Sequence, residues 1–213
     1  FPDVEADIGC FYLDYDSARD CFFRLVRVLC RDGASGRAAV GDYECGAKHF
    51  FVSVYVCQCL CFDSSSLVSN LIGAGKPEQV MGLCGRMIRI CYYFVLPLGI
   101  LIALFPELVL RIYTDNLDLI AGSVSSLWVM LSSYLIAVPA FIFFFSVSGT
   151  GNTQTALLID MASIFVYVLY ALWVGIRMHA DVAVCWTTEH VYDLMILSAF
   201  FYLWKGNWQN KKL

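Results

Sequence analysis

Three carboxylates stand inside apolar runs of this chain. Asp160 is the single charge in residues 156–176, and Glu189 and Asp193 lie with His190 in residues 182–204. An ionisable side chain in an apolar run of membrane length is expensive, so it usually faces a cavity, a partner or an ion path. Glu189 and Asp193 are four residues apart and share one helix face. All three are candidates for handling Na⁺ or H⁺. The competing reading places them near the membrane interfaces, since Asp160 is five residues into its run and Glu189 about seven into its own. Tyr134, Tyr167, Tyr170 and the run Phe141–Phe145 offer aromatic faces to apolar cations through cation–π contacts, although packing or lipid contact is the commoner role for such residues.

Other chemistry finds little support. Gly73-Ala-Gly-Lys76-Pro77 is not a phosphate loop, because Asn70 and Pro77 stand where that motif needs glycine and a hydroxyl residue. Gly149-Thr-Gly151 is not a dinucleotide fingerprint, because Gln154 takes the third glycine position. Cys57, Cys59 and Cys61 lack the two-residue spacers of a zinc knuckle and have no paired histidines. No nucleophile–base pair sits in a recognisable elbow. The chain is therefore expected to be no enzyme and to hold neither metal centre nor organic cofactor.

The elements that carry these residues are apolar. Of 213 residues, 60% are hydrophobic and 15% charged, against a usual charged share of about 25%. A net charge of −4 argues against nucleic acid as a partner. Four long apolar segments, residues 90–105, 127–147, 156–176 and 182–204, predict four helices at about 86–113, 125–148, 156–177 and 184–204. A spanning helix needs about 20 apolar residues. Three segments have that length outright, and the first reaches it by including residues 106–113. Pro97 and Pro139 fall inside helices, which membrane neighbours can tolerate by satisfying the freed carbonyl. Trp173, Trp186, Trp204 and Trp208 near helix ends fit an interfacial belt. The expected fold is an all-α membrane protein, a bundle over residues 64–213.

Lys76, Arg86, Arg89, Lys205, Lys211 and Lys212 fall on one side of a four-helix topology, and Arg111 and Arg177 on the other. The positive-inside rule then places residues 70–88, 149–155 and the C-terminus in the cytoplasm, in a multi-pass protein of the inner (plasma) membrane.

The run Ser65-Ser-Leu-Val-Ser-Asn-Leu-Ile-Gly-Ala-Gly-Lys-Pro77 resembles the end of a membrane helix and the following loop in the multidrug and toxic compound extrusion (MATE) transporters. Val147-Ser-Gly-Thr-Gly-Asn-Thr-Gln-Thr155 resembles that family's loop after its tenth helix, and Cys185-Trp-Thr-Thr-Glu-His-Val-Tyr192 and Lys205-Gly-Asn-Trp-Gln-Asn-Lys-Lys212 look similar to bacterial members. The resemblance covers about residues 65–213 and makes the four helices equivalent to the ninth to twelfth of a twelve-helix, two-lobed transporter. It implies part of a Na⁺- or H⁺-coupled antiporter of organic cations and drugs. Its partners would be the lipid bilayer, the small cationic substrate and the missing amino-terminal lobe, without which this carboxyl-terminal lobe fragment is expected to be inactive. No acid lies between Leu119 and Ile159, where some Na⁺-coupled members keep an aspartate. The alternatives are a lipid-linked oligosaccharide flippase of related fold and a non-transporting membrane scaffold.

Residues 1–63 look different. They hold seven of the ten cysteines and about half of the charges, and their apolar residues keep no sustained helical or strand period. Read one base later, codons permitted by residues 40–50 allow Leu-Ala-Ile-x-Asn-Val-Val-Arg-Ser-Ile-Phe, which resembles the start of the family's eighth helix. The expectation is an irregular or frameshifted segment, with a short helix at most around residues 19–30. A genuine soluble extension is the competitor, and it would have to manage seven cysteines in a reducing compartment.

Overall fold

The computed structural model describes residue 61 and residues 63–111, 117–174 and 182–206. The expectations for residues 1–60, for Arg177 and for the tail beyond Gly206 lie outside these residues. Every regular element described is helical. Helix α1 covers residues 63–73, and a 3-10 turn at Pro77–Gln79 leads into α2 (Val80–Leu104). Then follow α3 (Pro106–Leu110), α4 (Leu117–Gly149) and α5 (Thr153–Leu172), and three short helices, α6 (Val182–Cys185), α7 (Thr187–Ile196) and α8 (Ala199–Lys205). Three stretches are long and apolar enough to cross a bilayer: Pro77–Leu104, Ser123–Gly149 and Thr153–Leu172.

The boundaries depart from expectation in two places. The first helix starts at Val80, six residues earlier than expected, and stops at Leu104. Phe105, with φ −127° and ψ 55°, leaves helical geometry just ahead of Pro106, because the proline ring crowds a helical residue before it. Residues 106–110 then form a separate short helix. The fourth segment is not one helix over 184–204 but three pieces, broken at Trp186 and at Leu197–Ser198.

Helix α4 is the axis of the bundle. Leu127, Met130, Val138, Ile142 and Val147 are fully enclosed along it, whereas only 11% of the Pro77–Leu104 window is buried. Tyr93, Phe94, Leu101 and Leu104 of α2 are exposed, as a lipid-facing surface would have them. Phe141–Phe145 are all buried, with Phe143 edge-on to Phe200 at 5.1 Å. That run packs helices together.

Two local devices shape the end of the bundle where α1 and α4 finish. Helix α1 closes with a Schellman motif: Lys76 N–H donates to the Leu71 carbonyl at 3.0 Å and Gly75 N–H to that of Ile72 at 2.9 Å. Gly75 takes φ 71°, a conformation that costs glycine little. Gly149 serves differently, by close approach. A Cβ there would lie 2.5 Å from the Ser65 carbonyl oxygen, so α1 and α4 cross with backbone nearly on backbone. The Ser69 hydroxyl donates to the Gly149 carbonyl at 2.9 Å and fastens the crossing. The two glycine-bearing runs, distant in sequence, thus meet at one end of the molecule.

Pro139 has no N–H, so the carbonyl of Leu135 loses its helical donor. The Tyr92 hydroxyl of α2 donates to that carbonyl at 2.5 Å. In a bilayer no water replaces a lost backbone bond, so a neighbouring side chain has to do so.

Candidate ion-handling site

Helices α5 and α7 run antiparallel and face each other. On α5, Asp160 and Tyr167 are seven residues apart, two turns along one face. On α7, Glu189, Tyr192 and Asp193 share a face by their spacing of three and four. The facing surfaces exchange hydrogen bonds. The Tyr167 hydroxyl donates to Glu189 Oε1 at 2.7 Å, and the Tyr192 hydroxyl donates to Asp160 Oδ1 at 3.1 Å. The two rings meet edge-on at 5.6 Å. Each helix therefore gives one tyrosine and one carboxylate, and the donors cross over.

All three carboxylates are buried: Asp160, Glu189 and Asp193 are 4%, 4% and 3% exposed. Arg177 is the only Lys or Arg between residues 112 and 204. A buried carboxylate is favourable only with donors or cations near it. Here phenol hydroxyls supply two of the donors.

Ser132 of α4 pairs with the residue next to Glu189 on α7, His190. Its hydroxyl donates to the Val129 carbonyl at 2.6 Å and lies 2.9 Å from His190 Nε2. With its hydrogen already committed, the serine oxygen accepts, so a neutral His190 ring carries its hydrogen on Nε2. Nδ1 is left as a buried acceptor with no hydrogen-bond partner among the described residues.

The expected residues thus separate. Asp160, Glu189, Asp193 and Tyr167 come together at the contact of α5 and α7. Tyr170 turns to Thr187, 3.1 Å away, and its ring lies against Trp173 at 6.0 Å. Tyr134 is buried on α4. The reading of the sequence did not single out Tyr192, Ser132 or Thr187. Tyr192 had a signal in its place three residues after Glu189, on the same face. Among the described residues no group of three or more His, Cys, Asp or Glu is placed to hold a metal ion.

Apolar helices of spanning length packed around enclosed carboxylates define a multi-pass membrane protein. A family model described as MatE matches residues 32–174, two thirds of the 213 residues. The chain belongs to the MatE family of membrane transporters. The matched stretch opens within the segment read as irregular or frameshifted. It takes in Tyr134, Asp160, Tyr167 and Tyr170, and it ends before Glu189 and Asp193. No curated protein and no solved structure matches the chain.

Proposed function

We propose that the chain forms part of one lobe of a cation-coupled exporter of organic cations, with Asp160 and Glu189 handling the coupling ion, Na⁺ or H⁺. One observation carries this reading: two buried carboxylates on facing helices, each held by a tyrosine from the other helix. Ionisable groups at membrane depth mark ion paths far more often than they serve packing. Asp193 is buried beside them and is the third candidate. The shortage of Lys and Arg over residues 112–204 weighs against an oligosaccharide flippase, whose anionic cargo calls for a basic cavity.

Exchange of ion for substrate by alternating access needs a second lobe rocking against this one, so the amino-terminal lobe is the partner this reading requires. The excess of Lys and Arg at residues 76–89 and 205–212 supports a cytoplasmic placement of those ends in the plasma membrane. The test uses the chain assembled with that lobe. Asp160→Asn and Glu189→Gln are each expected to lower ion-driven efflux of an organic-cation dye roughly tenfold, equivalent to about 1.4 kcal/mol, with membrane insertion unchanged. Efflux equal to the parent protein in both variants removes these residues from the ion path. Absence of dye efflux in the parent assembly itself leaves the scaffold reading standing.

A further inference from the structure

The last helical segment is broken twice although residues 182–205 hold neither glycine nor proline. Two threonine hydroxyls reach back across the first break. Thr187 Oγ1 donates to the Val184 carbonyl at 2.6 Å and Thr188 Oγ1 to that of Cys185 at 2.7 Å. Hydroxyls taking carbonyls from their own helix compete with backbone donors and bend it. The backbone there tightens, with Glu189 N–H reaching only to the Trp186 carbonyl at 3.2 Å. The second break is a run of tightened turns: Ser198 N–H to Met195, Phe200 N–H to Leu197 and Phe201 N–H to Ser198, at 3.0, 2.9 and 3.0 Å.

Between the breaks lies α7, which carries Glu189, Tyr192 and Asp193. Two crossed tyrosine–carboxylate bonds and the Tyr170–Thr187 pair hold it to α5, and the His190–Ser132 pair holds it to α4. Because each helix supplies one donor and one acceptor, a single outward movement of α7 parts both crossed bonds at once. Apolar burial gives little drive between helices in lipid, so polar bonds carry an unusual share of such a contact.

We propose that Thr187–Ile196 is a hinged segment that pivots at Trp186 and at Leu197–Ser198, and that Tyr167 and Tyr192 are the latch holding it against α5. Tyr167 and Tyr192 are positioning residues here, acting through Glu189 and Asp160. The latch is the same whichever ion is coupled. Its readout is a distance and not transport, so it fails separately from the exporter reading.

The experiment places genetically encoded, non-cysteine spin labels on the full chain in phospholipid nanodiscs. One pair joins exposed Leu194 of α7 to exposed Leu101 of α2. A control pair joins Leu101 to exposed Leu169 of α5. In the parent protein each pair gives one distance. Tyr167→Phe with Tyr192→Phe is expected to add a second distance to the Leu194 pair alone. Its population should rise roughly five-fold for each hydroxyl removed, about twenty-five-fold for both. Adding Thr188→Ala, which frees the Cys185 carbonyl and spares the Tyr170–Thr187 contact, should lower the population of that second distance. If the double tyrosine variant does not insert, Tyr192→Phe alone is read at its five-fold change. The proposal is overturned by an unchanged Leu194 pair, by broadening of both pairs, or by a second distance whose population Thr188→Ala leaves unchanged.

Discussion

Tyr92 and Pro139 answer each other across two helices. The proline strips the Leu135 carbonyl of its donor, and the tyrosine hydroxyl replaces it. Tyr92→Phe should therefore cost about 1 kcal/mol, measured as unfolding of the reconstituted chain in graded denaturing detergent. Tyr93→Phe, at a side chain 79% exposed, should leave the same curve unmoved. Equal effects at both positions would reduce Tyr92 to packing. At this scale the sequence is informative where a residue type is out of place. Asp160, Glu189 and Asp193 stand out because charge is rare in apolar runs. Tyr192 does not stand out among twelve tyrosines, since tyrosine packs as readily as it donates, and only its contact with Asp160 tells the two apart.

The helices were legible to different degrees for the same kind of reason. Length and apolarity show in any window, so the segments around α2, α4 and α5 are plain. Pro106 explains the stop at Leu104 once its effect on Phe105 is considered. The breaks in the last segment are hidden, because threonine bends a helix only when its hydroxyl turns back on the carbonyls behind it, which no count of residues reveals. The crossing of α1 and α4 is hidden too, since a glycine gives no sign of what approaches it. Gly149→Ala tests that crossing. The added methyl meets the Ser65 backbone, which cannot swing aside as a side chain can. A loss of about 1–3 kcal/mol is expected in the same detergent titration. Gly85→Ala, where a Cβ meets nothing within 4 Å, should be neutral or stabilising. A tolerated Gly149→Ala would show that α1 does not sit where described.

For the whole molecule, the meeting of the two glycine-bearing runs fixes which ends lie together. Residues 74–76 and 150–152 belong to one side, and Leu117 at the start of α4 to the other, because α4 runs between them. Cysteines introduced at Lys76 and Gly151 in a background lacking exposed thiols should react with an impermeant maleimide from the same face of sealed vesicles. A cysteine at exposed Leu117 should react only from the opposite face. Labelling of all three from one face would dissolve the bundle topology.

The Ser65–Gly149 crossing also bears on how the chain is made. Its two halves lie 84 residues apart, and the hydroxyls of Ser64 and Ser69 find their partners at Ile142 and Gly149, 78 and 80 positions later. Ribosomes add about 5–20 residues per second, so α1 waits roughly 4–16 s for the backbone it will rest against. During that interval its serines face lipid or the insertion machinery. The nascent chain consequently passes through a stage in which α1 is made but unplaced, and the arrival of Gly149 sets α1 in position.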